Sequence, residues 1–218
     1  MSKLELPSPE RNVSGVKLKM DLSTHFKNTI LISVFTIIGM FSVTHLILPL
    51  QSLIAPGLGA FAALIFPIHG IRVIAAWMFG WWSVLYLFAS NVIVAIFYAL
   101  LSMETPYLDF SFERLMSWTL VSVVAIISIQ LFRLVGIEIG MKASGIGPNT
   151  WRQLLLVGFV SSVFNSLGQS IIFSGQLIAI GERNVMLGYL FGDTFGTIVC
   201  FGILMLIFRF SRVFQSAG

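Results

Sequence analysis

The sequence predicts an all-α integral membrane protein, a bundle of about six transmembrane helices with both termini in the cytoplasm. Its mean hydropathy is +0.95. Of its 218 residues, 57% are apolar and only 10% are charged, whereas soluble domains carry roughly 25% charged residues. Long apolar stretches also recur almost from end to end. Such a chain needs lipid as its solvent and has no length left for a separate soluble core.

Six apolar segments are long enough to cross a bilayer. A hydrocarbon core about 30 Å thick takes roughly 20 helical residues to cross, because every backbone group must be satisfied within the helix. The predicted segments are Asn28 to Leu50, Pro56 to Trp77, Trp81 to Leu101, Ser111 to Leu134, Thr150 to Phe173 and Val185 to Phe208. They divide the chain into a cytoplasmic tail (1–27), a transmembrane domain (28–210) and a second cytoplasmic tail (211–218).

The second segment has two interpretations. Two prolines, Pro56 and Pro67, fall within it together with three glycines. It is either one helix or an irregular stretch followed by a short helix that starts near Pro67. A break there would have functional meaning.

The positive side chains predict the orientation, because Lys and Arg accumulate in short cytoplasmic loops. With the N-terminus inside, eleven of the 13 Lys and Arg residues are cytoplasmic and only Arg114 and Arg183 lie outside. We therefore predict a multi-pass protein of a bacterial inner membrane, with lipid as its first partner.

Several function classes are disfavoured by the composition. No basic patch is interleaved with aromatic residues, so nucleic acid is not an expected partner. The single cysteine, Cys200, permits no internal disulfide and no cysteine zinc cluster. Neither a phosphate loop, a zinc-binding helix motif nor a serine nucleophile elbow occurs. We expect no catalytic residues and no metal site, and the sequence leaves any cofactor unknown.

Small residues form a ridge on each of the last two helices. Those on the fifth helix are Gly158, Ser162 and Ser166, and those on the sixth are Gly188, Gly192 and Gly196. Such ridges let helix backbones approach closely, which drives association in lipid. Either these two helices pack together, or a ridge serves a homo-oligomer or another membrane protein.

Polar residues lie beside those ridges. Asn165 and Gln169 are four apart and share one face, and Asp193 lies at a similar depth on the last helix. A carboxylate this deep should face the bundle interior, paired or protonated. The group is either a structural polar lock or a ligand or ion site.

The second segment adds His69 and Arg72, three apart and nearly on one face. Arg72 has two alternatives: its guanidinium reaches the cytoplasmic headgroups, or it turns inward toward an anion, a carboxylate such as Asp193, or a backbone carbonyl.

Two stretches carry a family resemblance. Residues Phe66-Pro-Ile-His-Gly-Ile-Arg-Val-Ile-Ala-Ala-Trp-Met-Phe-Gly-Trp81, followed by an apolar helix, and Leu190-Phe-Gly-Asp-Thr-Phe-Gly196 occur in this order. They resemble the proline-glycine helix opening, the Phe-Gly junction and the closing Gly-Asp-x-x-Gly pattern of the MASE-type membrane-associated sensor domains of bacteria. The resemblance covers about residues 55–210. Such domains usually precede a cytoplasmic signalling domain and have more helices than are predicted here. Because the sequence predicts no signalling domain after the last helix, any output is expected to pass through a partner chain.

Two functions follow as expectations. The first is a non-enzymatic membrane module, sensor-like or an accessory subunit, that docks against other membrane proteins. The second is a small-molecule binding or transport subunit resembling the compact six-helix components of vitamin uptake systems.

Overall fold

The fold is described by a computed structural model for residues 22–54, 63–102, 110–141, 149–174 and 182–216. These residues form seven α-helices and one π-helical turn. The helices are α1 (Leu22–Ser42), α2 (Leu48–Ile54), α3 (Ile68–Phe79), α4 (Trp82–Ser102), α5 (Phe112–Leu134), α6 (Thr150–Ile172) and α7 (Glu182–Ser216), with the π-turn at Val43–Ile47 between α1 and α2. The predicted all-α class is confirmed.

Five helical stretches in the described part of the chain are long and apolar enough to span a membrane. They are Leu22–Ile54, Trp82–Leu101, Phe112–Leu134, Thr150–Ile172 and Met186–Phe210. Large apolar side chains cover their outer surface; on α1, for example, Phe35 and Ile38 are 49% and 56% exposed. A surface this apolar is stable only against lipid, so the chain is a membrane-embedded multi-pass protein.

The second predicted span is wrong as a continuous helix, and the alternative with a break is correct. Residues 63–67 are not helical, and α3 begins only at Ile68, with Pro67 at its N-cap. The rest of the predicted first half, residues 56–62, lies outside the described residues. Pro67 has no backbone N–H and disfavours helical geometry in Phe66, so a helix can start at this proline but not continue through it. At 12 residues, α3 is about 18 Å long, too short to cross a bilayer by itself, so a second crossing also needs the residues before it.

Two predicted helix boundaries were also too narrow. The first helix extends from Leu22 to Ile54 rather than from Asn28 to Leu50, and α7 continues to Ser216, beyond Phe208. Hydropathy locates the apolar part of a helix, whereas hydrogen bonding sets its ends, so charged helical turns outside the bilayer are missed. The π-turn ends at Ile47, two residues before Pro49. Pro49 cannot donate to the His45 carbonyl, and the widened turn accommodates that missing bond.

The short helix α3 lies at the centre of the bundle. It packs against α1, α4, α5, α6 and α7. Around its second half is an apolar cluster of buried side chains. Its members are Val73, Ala76, Ala125, Ile126, Ile129, Ile139, Leu154, Val157 and Phe201. The first turn of α3 therefore opens inside the protein.

Candidate functional site

The non-helical residues 63–67, here called the lead-in segment, are seated on the glycines of α7. The Phe66 N–H donates to the Gly192 carbonyl at 2.9 Å. A Cβ at Gly192 would overlap the Ala63 carbonyl, and one at Gly196 would overlap the Phe66 backbone. The Gln51 side chain accepts from the Leu64 N–H at 2.7 Å, so this irregular backbone is anchored on two sides.

This contact corrects the expected use of the α7 ridge. Gly192 and Gly196 accommodate the lead-in segment rather than α6, because a Cβ at either position would meet the backbone of that segment. Gly188 is also buried.

The α6 ridge does face α7, where it meets threonines. A Cβ at Gly158 would lie 2.6 Å from Cγ2 of Thr197, and the Ser162 and Thr194 hydroxyls are 2.8 Å apart. Ser166 instead donates to the Val163 carbonyl of its own helix at 2.9 Å. The last two spans therefore pack together, which was one of the two alternatives that the sequence left open for the small-residue ridges.

Asp193 lies at this contact, buried and bound to α6. Asn165 Nδ2 donates to Asp193 Oδ2 at 2.5 Å. Gln169 Nε2 donates to Asn165 Oδ1 at 3.4 Å, and Ser117 on α5 donates to Gln169 Oε1 at 3.0 Å. A polar chain thus links α5, α6 and α7, and each amide is held in one orientation by its neighbours.

His69, in the first turn of α3, joins the same group from the other side. Its Nδ1 lies 3.4 Å from Asp193 Oδ2. Its Nε2 lies 2.8 Å from Ser161 Oγ and 3.3 Å from the Gly158 carbonyl. The imidazole is fully buried, so α3, α6 and α7 meet at this ring.

Arg72 turns inward, which rules out the headgroup alternative. The residue is only 8% exposed, and its guanidinium carbon lies 5.5 Å from the centroid of the Phe66 ring. Helical side chains lean toward the N-terminus of their helix, which brings this charge back to the first turn of α3. It interacts electrostatically with Asp193. Within the described residues, however, it makes neither an ion pair within 4.0 Å nor a hydrogen bond.

We call this group of buried polar residues the polar cluster. Its members are His69, Arg72, Ser161, Asn165, Gln169 and Asp193. Sequence reasoning identified five of them and missed Ser161. The signal was present, since Ser161 precedes Asn165 and Gln169 by four and eight residues on the same face. Ser117, which extends the chain onto α5, carried no comparable signal.

The order Asp193, His69, Ser161 matches that of a serine hydrolase triad, but its surroundings do not favour nucleophilic chemistry. Ser161 is fully buried and donates to the Gly158 carbonyl at 3.0 Å. It lies in the middle of α6, where backbone N–H groups are used by the helix and cannot form an oxyanion hole. The part of the chain described also brings together no three His, Cys, Asp or Glu side chains that could hold a metal ion.

Comparison with known proteins adds no family to this geometry. No protein-family model, curated protein or solved structure matches the chain. The resemblance to MASE-type sensor domains therefore stays a prediction.

Proposed function

We propose that this chain is a non-enzymatic multi-pass membrane protein that binds a small molecule in its interior, at the polar cluster. One observation carries the proposal: the buried Arg72 guanidinium has no hydrogen-bonding partner among the described residues, beside a helix that begins inside the bundle.

The energetics of the bilayer support a binding role. A charge inside the membrane is costly, and such residues face the protein interior, pair with one another or mark ligand and ion pathways. A purely structural lock would pair its charges directly. Here Asp193 has Asn165 as its donor, whereas Arg72 has no such acceptor.

The break before α3 supports the same role. Membrane carriers form their sites near the bilayer midplane from discontinuous helices, whose exposed ends bind ligand groups. Irregular backbone at membrane depth is tolerated where it is buried in protein or lines a cavity. The lead-in segment has this character, because α7 and Gln51 hold it within the bundle.

Binding is compatible with two settings. In the first, which the MASE resemblance favours, the chain is a sensor-like module or accessory subunit that docks to another membrane protein or to a second copy. In the second it is the binding subunit of a transport system. Proteins that co-purify in mild detergent separate them: a signalling protein supports the first setting and an energising ATPase pair the second.

The binding proposal is tested on the purified protein. Small molecules extracted from wild-type protein in mild detergent are compared by mass spectrometry with those from Arg72→Gln and from Arg152→Gln, an exposed arginine at the start of α6. We expect one compound to be present in the wild type and in Arg152→Gln and absent from Arg72→Gln. The same small-molecule content in all three folded proteins would contradict the proposal.

We further propose that the protein lies in a bacterial inner membrane with both termini in the cytoplasm, because ten positive residues then lie inside and two outside, with the buried Arg72 left out of the count. This orientation needs six crossings, and α3 would complete the second of them together with the residues before it. Reporter fusions at residue 105 and after Gly218 should report outside and inside. If both report the same side, the orientation is wrong.

A further inference from the structure

The hydrogen bonds around His69 determine which of its nitrogens carries a proton. The Ser161 hydroxyl donates to the Gly158 carbonyl at 3.0 Å, so its oxygen is free to accept. His69 Nε2 lies within reach of that oxygen and of the same carbonyl, at 2.8 and 3.3 Å. A carbonyl only accepts, so Nε2 is the donor and carries hydrogen.

Nδ1 of a neutral His69 is then bare and faces Asp193. It has no hydrogen-bond partner in the described structure, and Asp193 Oδ2 lies 3.4 Å away. Two acceptors at this distance repel each other unless a proton lies between them. The pair is therefore a position for one proton.

Arg72 is the other half of the site. Its planar guanidinium offers five N–H donors in a fork that matches a carboxylate. The residue is more than nine-tenths buried, lies beside the first turn of the 12-residue helix α3, and has no hydrogen-bond acceptor in the described ranges. The Asp193 carboxylate does not come within 4.0 Å of it.

Charge balance links the two halves. With Arg72 positive, Asp193 negative and His69 neutral, the empty cluster has no net charge. Further titratable groups around the cluster include Tyr189, which interacts electrostatically with Asp193 and with Arg114 at the start of α5, and Cys200, which lies against Gly70. An anion beside Arg72 would leave one negative charge in excess in a medium of low dielectric.

From this we infer that the polar cluster binds a small monocarboxylate at Arg72 and takes up one proton from water onto Asp193 as it does so. The proton restores neutrality, and the new carboxyl O–H donates to the bare Nδ1 of His69. This inference rests on the proposed function and names the chemical class of its ligand.

Titration calorimetry of the full protein in mild detergent tests the inference directly. The probes are sodium acetate and sodium hexanoate, with sodium chloride and choline chloride for comparison. Measurements between about pH 6 and pH 8 keep the probes ionised. In buffers of different ionisation enthalpy we expect uptake of one proton per carboxylate. Affinity should rise about tenfold for each unit that the pH falls.

Three variants separate the parts of the site. Asp193→Asn makes the empty cluster permanently positive, so carboxylate binding should continue without proton uptake and without pH dependence. His69→Gln leaves Asp193 in place and should retain the uptake. Arg72→Gln should lose carboxylate binding by tenfold or more, and Arg72→Lys should lose less, because a lysine provides the charge but not the fork.

Several results would overturn the inference. Carboxylate binding to the wild type without proton uptake would contradict the proposed coupling between binding and protonation. This measurement uses only the wild-type protein, so it does not depend on the folding of any variant. Binding of choline but of neither carboxylate, or of none of these probes, removes the ligand class. If a neutral or cationic compound nevertheless co-purifies in an Arg72-dependent manner, the proposed binding function stands and only this inference fails.

Discussion

Helices α3, α6 and α7 carry residues of both the polar cluster and the apolar cluster. The two layers differ in how completely their polar groups are hydrogen-bonded and their apolar groups packed. In the apolar layer Val73, Val157 and Phe201 are fully buried against one another's helices. In the polar layer His69 Nδ1 is buried without a hydrogen-bond partner in the described structure, and Arg72, a residue that is 8% exposed, makes no hydrogen bond within the described residues. The same helices thus combine a packed layer that stabilises the bundle with a layer whose unused donors and acceptors can respond to a ligand.

The contrast between the two layers follows from the forces that hold helices together in lipid. Burying an apolar side chain between helices gains little over leaving it in hydrocarbon, so close packing and hydrogen bonds hold the bundle together. The largest effects on stability should therefore come from steric contacts, and those from single polar groups should be smaller.

The largest effect is expected where the lead-in segment lies on α7. Gly196→Leu would place a side chain into the Phe66 backbone, which cannot move without displacing α3 and the polar layer. We expect a loss of more than about 4 kcal/mol, or no folded protein at all. Accumulation and thermal unfolding in detergent measure it.

Gly202→Leu is the matched control for that change. It lies on the same helix, and a Cβ there meets nothing within 4 Å, so stability should change by less than about 0.5 kcal/mol. Gly192→Leu should resemble Gly196→Leu, because its side chain would meet the Ala63 carbonyl. If all three variants changed stability by the same amount, the lead-in segment would not lie on the Gly192 and Gly196 face of α7.

A smaller loss is expected in the apolar layer. Phe201→Ala leaves a cavity among fully buried side chains, and we expect it to cost about 3 kcal/mol. The ligand should still bind below the lowered unfolding temperature, since the polar layer is untouched. Phe195→Ala, which removes a ring that is 51% exposed, should cost much less. Loss of the co-purifying compound from folded Phe201→Ala would show that the two layers are not separable.

How much of this could be predicted from the sequence depends on which interactions decide each feature. Hydropathy and length predicted the helical class, because lipid imposes both. Pro67 carried the alternative of a short helix, because proline has a local effect on the backbone. The spacing of Asn165 and Gln169, and the depth of Asp193, placed these residues near one another.

The partners of the glycines could not be predicted in this way. A small residue indicates that something comes close, but not whether it is a helix or a non-helical segment, and this is why Gly192 and Gly196 were assigned to helix packing. The depth of Arg72 was likewise open, because it depends on whether its helix begins near Pro56 or only near Pro67, and the structure starts it at Ile68. Both features depend on where the lead-in segment lies, which is a long-range contact that no local pattern encodes.

The smallest expected effect distinguishes the two partners of Asp193. Asn165 donates to its carboxylate directly, whereas Arg72 acts on it only over a longer distance. A double-mutant cycle with Asp193→Asn and Asn165→Ala should give a coupling energy of about 1.5 kcal/mol, because a hydrogen bond to a charged acceptor is stronger than one to an amide. The matching cycle with Arg72→Gln should give a smaller coupling energy, between about 0.5 and 1 kcal/mol, because the two charges compensate each other without being in contact. Both cycles are measured by thermal unfolding in detergent without added carboxylate. A coupling for Arg72 as large as that for Asn165 would mean that Arg72 is a direct partner of Asp193, and would leave no free guanidinium for a ligand.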